Sequence, residues 1–285
     1  MSQPPAAVPQ VCVGANNTSV KANTFESVPR LTLLATFTAF TGVVLLLIGI
    51  SFAIDSFNHN SALLPYSCRN HMISELGFPY ASPLTWLFNG AVMIGGLMLL
   101  PTNYALGAHL RTRLGYAAAS FGCLGGLALS GLGMFGLRQD VLHAPYLFGR
   151  FFKIHMAFAQ VIFLGWTVGI TLFTMLFYRR RNDPVSCLMA LAGIVSGLVY
   201  LTFLEVSICP SHTQAALVKD FRAIVNSPPI SSPILSQRFD SYRPHIFWQA
   251  VLEWAWAGSV LLWHGIALIF LWMKRQEAPE AVASR

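Results

Sequence analysis

Residues 31–54 read LTLLATFTAFTGVVLLLIGISFAI, a stretch without a charged side chain. A transmembrane helix needs about 20 consecutive apolar residues to cross the hydrocarbon core of a bilayer. Inside lipid, the polar groups of the backbone must find partners within the protein, and a single segment achieves this as an α-helix. The stretch therefore predicts a membrane-spanning helix, Leu31–Ile54.

Five further apolar runs follow along the chain. They are Leu84–Leu106, Leu114–Gly136, Ile154–Tyr178, Val185–Ile208 and Phe247–Met273. They are too long for the strands of a membrane barrel and lack the alternation of such strands. Hydrophobic residues make up 55% of the chain and charged residues 10%, whereas soluble domains have roughly 25% charged residues. The sequence predicts an all-α, polytopic membrane protein with a bundle of six transmembrane helices.

The distribution of cations predicts the orientation of this bundle. Cations cluster in the second and fourth predicted loops and after the sixth helix, as Arg111, Arg113, Arg179, Arg180, Arg181, Lys274 and Arg275. The positive-inside rule makes these regions, and both termini, cytoplasmic. Arg138, Arg150 and Lys153 in the third loop oppose this assignment. Because membrane topology accounts for the net charge of +7, we expect no nucleic-acid partner.

The regions outside the membrane domain (residues 31–273) differ in character. Residues 1–30 have little charge and are rich in Pro, Ala, Asn and Ser, which predicts a disordered cytoplasmic tail, and residues 274–285 form a second cytoplasmic tail. The fifth loop, residues 209–245, contains apolar residues at helical spacing from Leu217 to Val225. This pattern predicts a short amphipathic helix on the outer membrane surface.

Small residues at four-residue spacing predict close helix packing. The pairs are Gly122 and Gly126, Gly165 and Gly169, and Gly193 and Gly197. In lipid, such residues let two helix backbones approach each other.

Two of the five cysteines, Cys68 and Cys209, fall in the first and fifth loops at the predicted outer face. A non-cytosolic face permits disulfides, and we predict a bond between these two residues. The alternative is a pair of free thiols that do not meet.

The segment 71–77 reads HMISELG and is followed by LFNG at residues 87–90. With Gly133-Met134-Phe135, Asp140 and His155, these residues resemble the domain-of-unknown-function 998 membrane family. The pair Glu253-Trp254 is similar, more weakly, to the Frag1-like group, which includes a Golgi protein of GPI-anchor lipid remodelling and the damage-regulated autophagy modulators. The resemblance spans about residues 31–273. It implies six helices and a membrane location, and no established reaction.

Polar residues lie in the outer half of four predicted helices: Asn89, His155, Glu205 and Glu253. Leaving any of them in contact with lipid would cost on the order of a few kcal/mol. We therefore expect the four side chains to converge on one cavity that opens to the outer side.

Further residues extend this predicted pocket. Gln249 lies one helical turn before Glu253 on the same face, and Gln160 lies deeper on the helix of His155. The segment 73–77, with Ser74 and Glu75, leads directly into the second helix, and we expect it to fold over the mouth of the pocket. By contrast, we expect the loop residues His71, His143 and His212 to be solvated.

Two functions agree with such a pocket. The first is a protein that binds or senses a membrane lipid without changing it. The alternative is a lipid-modifying intramembrane enzyme in which His155 forms an acid–base pair with Glu205 or Glu253. The first is preferred because no complete catalytic set can be named, and the predicted partners are membrane lipids. Two spacings typical of metal sites, His-x-x-x-His and His-Glu-x-x-His, do not occur in the chain. It also has no phosphate loop or dinucleotide fingerprint. We therefore predict no metal and no cofactor.

Overall fold

The protein was analysed as a computed structural model, which describes residues 19–59, 65–77, 84–136, 145–180, 183–208 and 246–283. Its elements are α1 (Ser19–Asn58), a 3₁₀ helix (Ile73–Gly77), α2 (Thr85–Met98), α3 (Leu100–Leu110), α4 (Arg113–Gly136), α5 (Pro145–Arg179), α6 (Pro184–Ile208) and α7 (Trp248–Ala283). Six segments are long and apolar enough to cross a membrane, and α2 and α3 together form the second of them. The predicted all-α fold with six membrane-spanning segments is confirmed.

The second span is broken at Leu99, where the sequence predicted one continuous helix, Leu84–Leu106. Pro101 is the second residue of α3. Proline has no N–H and its ring collides with the carbonyl of the preceding turn, so it interrupts a helix. The carbonyl of Leu99 at the break accepts from both the backbone N–H (3.3 Å) and the side-chain amide (3.0 Å) of Asn103, so it has partners inside the membrane.

The six spans form a closed ring. Each span packs against the next in chain order, and α7 packs against α1. The centre contains a cluster of aromatic side chains, with Phe173, Phe177, Trp263 and Phe270 almost completely buried. Large apolar side chains are exposed on the outside, for example Phe37 at 68%. This arrangement suits lipid as the surrounding solvent.

Helices α4 and α5 approach each other closely. A Cβ atom added at Gly169 would lie 2.9 Å from the backbone nitrogen of Gly122, and one added at Gly165 would lie 2.9 Å from that of Gly125. The predicted small-residue packing is therefore present between these helices. Gly197 differs, since a Cβ atom there would meet nothing within 4 Å.

Several predictions concern segments at the edges of the described residues. Helix α1 begins at Ser19, within the tail predicted to be disordered, and α7 continues to Ala283. The loop 209–245, with its predicted amphipathic helix, lies outside the described residues. Cys68 has a free, exposed thiol, which does not support the predicted disulfide, and its predicted partner Cys209 lies outside the described residues.

Candidate functional site

Residues 65–77, which we name the cap segment, lie across one end of the bundle, the cap end. Three hydrogen bonds tie this segment to α1 and to the start of α7: Tyr66 N–H to Asn58 Oδ1 (2.6 Å), Phe247 N–H to Arg69 O (2.8 Å) and Trp254 Nε1–H to His71 O (3.1 Å). The cap segment is thus fixed by residues that are far apart in the sequence.

The centre of the cap segment is a cluster of aromatic rings. His71 is completely buried, and it stacks on Tyr66 with ring centroids 5.0 Å apart and an angle of 25° between the planes. The edge of Phe57 packs against it at 5.2 Å, and Ser67 N–H donates to its Nδ1 (3.2 Å). The prediction that His71 is solvated is wrong, because this small loop brings aromatic neighbours around the ring.

Tyr66 lies outside the membrane-spanning segments but inside this cluster. Burial raises the pKa of its phenol well above the ordinary range, and the nearby carboxylate of Glu75 adds to the effect. The neutral hydroxyl donates to the carbonyl of Met72 (2.9 Å). Tyr66 therefore acts as a fixed hydrogen-bond donor that holds the turn leading into the 3₁₀ helix.

The 3₁₀ helix Ile73–Gly77 brings polar groups onto α7. Ser74 donates hydrogen bonds to the carboxylate of Glu253 from both its backbone N–H and its hydroxyl. Glu75 Oε1 accepts from the N–H of Met72 (2.9 Å), which caps the turn, and its charge lies close enough to act on Glu253. Ser74 thus binds a carboxylate from another helix, and Glu75 performs the capping.

Glu253 is the deepest ionisable residue of this cluster. It lies within the sixth span and is only 9% exposed. Its Oε2 atom is buried and has no hydrogen-bond partner among the residues that the structure describes. A buried carboxylate oxygen without a partner is costly, and such groups inside a membrane are candidates for function.

Asn89 and Gln249 complete the surroundings of the cluster. Asn89 is 5% exposed, and its Nδ2 donates to the carbonyl of Gly77 (3.0 Å) at the end of the 3₁₀ helix. A Cβ atom at Gly77 or Gly136 would overlap the Asn89 amide, so the amide is held tightly between α4 and the cap segment. Gln249 is 9% exposed, one turn before Glu253 on α7.

The other predicted site residues lie elsewhere. Gln160 and Glu205 have exposed side chains, because they occupy faces of α5 and α6 that turn away from the packed helices. His155 is half-buried on α5, and the groups that act on the Glu253 carboxylate are Ser74 and Glu75 rather than His155. The structure thus brings together Ser74, Glu75 and Glu253, with Asn89 bound to the same 3₁₀ helix.

A second polar contact, which the sequence analysis did not single out, lies deeper in the bundle. Asn103 and His264 are almost completely buried, and Asn103 Nδ2 lies 3.5 Å from His264 Nε2. Nδ1 of His264 lies 2.8 Å from the carbonyl of Val260, so this carbonyl fixes the proton on Nδ1. The sequence carried a signal for this contact, because Asn103 and His264 are polar residues inside apolar spans. The same criterion was the reason for choosing Glu253.

A metal site does not emerge from these groups. Within the described ranges, no three His, Cys, Asp or Glu side chains are placed so that they could hold a metal ion. The cluster at Glu253 consists instead of hydrogen-bond donors and two carboxylates, which suits recognition of donor groups on a ligand.

Comparisons with known proteins give one match. No curated protein matches the chain, and no solved structure matches it. The weaker resemblance to the Frag1-like group is not shown by these comparisons. A family model described as "Protein of unknown function (DUF998)" matches residues 61–218, more than half of the chain. The match includes the cap segment and extends from there through α6. The chain is therefore a member of the DUF998 family, and it is a multi-pass, all-α membrane protein.

Proposed function

We propose that this protein binds the headgroup of a membrane lipid at the cap end and leaves the lipid chemically unchanged. In this proposal, an O–H or N–H donor of the headgroup hydrogen-bonds to Oε2 of Glu253. Ser74 already donates to the same carboxylate. The ligand therefore binds in addition to the cap segment and does not replace it.

The observation that carries the proposal is the buried Oε2 of Glu253, which has no hydrogen-bond partner in the part of the chain that the structure describes. When the Glu253 carboxylate is ionised, its oxygens only accept hydrogen bonds. In that state, the partner that fits Oε2 is a donor, and lipid headgroups with hydroxyl or amine groups supply one. A hydrogen bond to a charged group contributes about 1.5–3 kcal/mol, which is enough to select one headgroup over another.

The depth of Glu253 agrees with a headgroup as the ligand. Glu253 follows Trp248, the first residue of α7, by five positions, which is about 7–8 Å of helix. Trp248 is exposed, as expected of an aromatic residue at the membrane interface. The interfacial layer of a bilayer is about 5–8 Å thick on each side. Glu253 therefore lies near the boundary between headgroups and acyl chains.

The alternative of a lipid-modifying enzyme has less support. It requires His155 to share a proton with Glu205 or Glu253. Glu205 is exposed on α6, and the hydrogen bonds to Glu253 come from Ser74. A serine that donates to a carboxylate is also found in polar contacts that only fix helix packing. The experiment must therefore separate lipid binding from helix packing.

The test is to identify the lipids that co-purify with the full-length protein by mass spectrometry, for the native chain, Glu253→Gln and Glu205→Gln. Glu205→Gln is a matched control, because it changes an exposed carboxylate at the same end of the bundle. We expect Glu253→Gln to fold and to retain about 10-fold less lipid than the native chain, or less still. Glu205→Gln should retain as much lipid as the native chain.

Two results would overturn the proposal. Equal lipid retention by all three proteins would show that Glu253 serves packing alone. Recovery of a truncated or transferred lipid from the native chain, but not from Glu253→Gln, would show an enzyme.

A further inference from the structure

Among the side chains that the structure describes, the two ends of the bundle differ in charge. The end remote from the cap segment, which we name the basic end, has seven cations whose side chains are described: Arg30, Arg111, Arg113, Arg179, Arg180, Lys274 and Arg275. Asp183 is the acidic side chain described there. At the cap end, Arg69 is the cation whose side chain is described, against Asp55, Glu75, Glu205 and Glu253.

Asp183, the acid described at the basic end, accepts the hydrogen bonds that cap the next helix. Asp183 Oδ2 accepts from the hydroxyl of Ser186 (2.9 Å), and Oδ1 accepts from the N–H of Val185 (3.4 Å), at the start of α6. Burial acts to raise the pKa of Asp183, but these hydrogen bonds and the nearby Lys274 outweigh it and hold the pKa below its ordinary value. Asp183 therefore balances at most one cation.

A tight turn between α3 and α4 holds two of the arginines in fixed positions. Arg111 N–H donates to the carbonyl of Gly107 (3.1 Å), and the hydroxyl of Thr112 accepts from the N–H of Gly115 (2.9 Å). Arg113 is the first residue of α4. Arg111 and Arg113 are both exposed, so the turn presents two guanidinium groups at the membrane boundary.

The backbone of Arg111 gives an independent reason to assign this turn a role. Its φ angle is 51°, in the left-handed region. This position, directly after a helix, is where glycine is most favourable, because a Cβ atom is strained there. Arginine is less favourable than glycine in this backbone conformation. What it adds at this position is a charged side chain, which glycine lacks. Strain of this kind is a reason to look for function.

We propose that the basic end binds the headgroups of anionic phospholipids in the leaflet that it faces, with Arg111 and Arg113 as a principal contact. Arginine binds phosphate oxygens through two parallel hydrogen bonds. Clusters of four to eight cations next to a transmembrane helix are typical of binding to acidic lipids. The positive-inside rule makes this leaflet the cytoplasmic one, which also places both termini in the cytoplasm.

The proposal can be tested by native mass spectrometry of the full chain in nonionic detergent, titrated separately with phosphatidylserine and phosphatidylcholine. Each cation near the surface contributes about fivefold in affinity. We therefore expect the double variant Arg111→Gly, Arg113→Gln to bind phosphatidylserine roughly 20-fold more weakly. Arg69→Gln, which removes an exposed cation at the cap end, should change the affinity less than about twofold. Raising the ammonium acetate concentration should weaken the native chain more than the double variant.

Folding and ligand identity are checked in the same experiment. Arg111→Gly relieves backbone strain, so a thermal midpoint at or above that of the native chain shows that the fold is intact. If the double variant fails to fold, Arg179→Gln with Arg180→Gln tests the same surface. The proposal fails if the two lipids bind equally, if Arg69→Gln weakens binding as much as the double variant, or if inorganic phosphate at millimolar concentration displaces the lipid. Glu253→Gln lies at the other end and should leave this binding unchanged, so the two proposals can fail separately.

Discussion

Ser74→Ala tests the central contact of the cap end. The substitution removes the hydroxyl that donates to Glu253 but keeps the backbone N–H, which donates as well. Glu253 already has one buried carboxylate oxygen without a partner among the described residues, and the variant removes a partner from the rest of the group. Hydrogen bonds to charged groups contribute about 1.5–3 kcal/mol, so we expect a loss of stability in that range.

The assay is thermal unfolding of the purified protein in detergent. For a chain of this size, 1 kcal/mol corresponds to a shift of about 2–4 °C in the midpoint, which gives an expected decrease of about 3–12 °C. The matched control is Ser51→Ala, which removes an exposed hydroxyl that bonds to Leu47 O in its own helix. Such a surface change should stay within about 0.5 kcal/mol.

A double-mutant cycle identifies the partner of Ser74. In the Glu253→Gln background, the hydroxyl faces a neutral amide, and its removal should cost about 0.5–1.5 kcal/mol. The difference between the two backgrounds, about 1 kcal/mol, is the coupling between the residues. A cost of Ser74→Ala that equals that of Ser51→Ala, or that is the same in both backgrounds, would refute the assigned contact.

Three further predictions concern the rest of the bundle, each measured by thermal unfolding. Gly169→Ala should destabilise by about 1–3 kcal/mol, because the new Cβ would lie 2.9 Å from a backbone atom of α4, whereas Gly197→Ala meets open space and should be neutral or stabilising by up to about 1 kcal/mol. Arg111→Gly should stabilise by up to about 1 kcal/mol, since it relieves the left-handed conformation; a lower midpoint would contradict this. The pKa of Asp183 is lowered by folding, so its contribution is fully present above the ordinary Asp value of about 3.9 and is lost as the pH falls below it. Asp183→Asn should therefore flatten the decrease in midpoint below about pH 4, and an unchanged pH profile would oppose the assigned capping role.

The spans could be predicted because their signal is local. Hydropathy and length fix the number and approximate limits of the membrane segments, because only helices and closed barrels can span the hydrocarbon core. The break at Leu99 was signalled by Pro101, but proline in a membrane helix can produce a kink or a full interruption. The close contact at Gly169 was also local in origin, since small residues at four-residue spacing suffice to indicate it.

The cap end could be predicted only in part, because its contacts join distant parts of the chain. Depth placed Glu253 and Asn89 at a similar level, but depth does not give the rotation of a helix about its axis. Glu205 illustrates this limit: it lies at the end of α6 and is exposed. Near the interface, a charged side chain reaches water or headgroups at little cost, so no penalty turns it inward. The burial of His71 depends on Tyr66 and Trp254 together, and no periodic pattern encodes such a contact.

The cap segment and Glu253 depend on each other, and this dependence limits how a ligand can bind. Ser74 reaches the carboxylate because the cap segment lies on α7, and the cap segment lies there because Phe247 and Trp254 hold the carbonyls of Arg69 and His71. These two residues lie on either side of Glu253 in the sequence. A ligand that displaced Ser74 would thus have to break contacts on both sides of the carboxylate. A donor that approaches Oε2 breaks none of them and satisfies a buried atom that now has no described partner. Binding in addition to Ser74 is therefore favoured over replacement of it, and a bound headgroup would stabilise the cap segment in its present position.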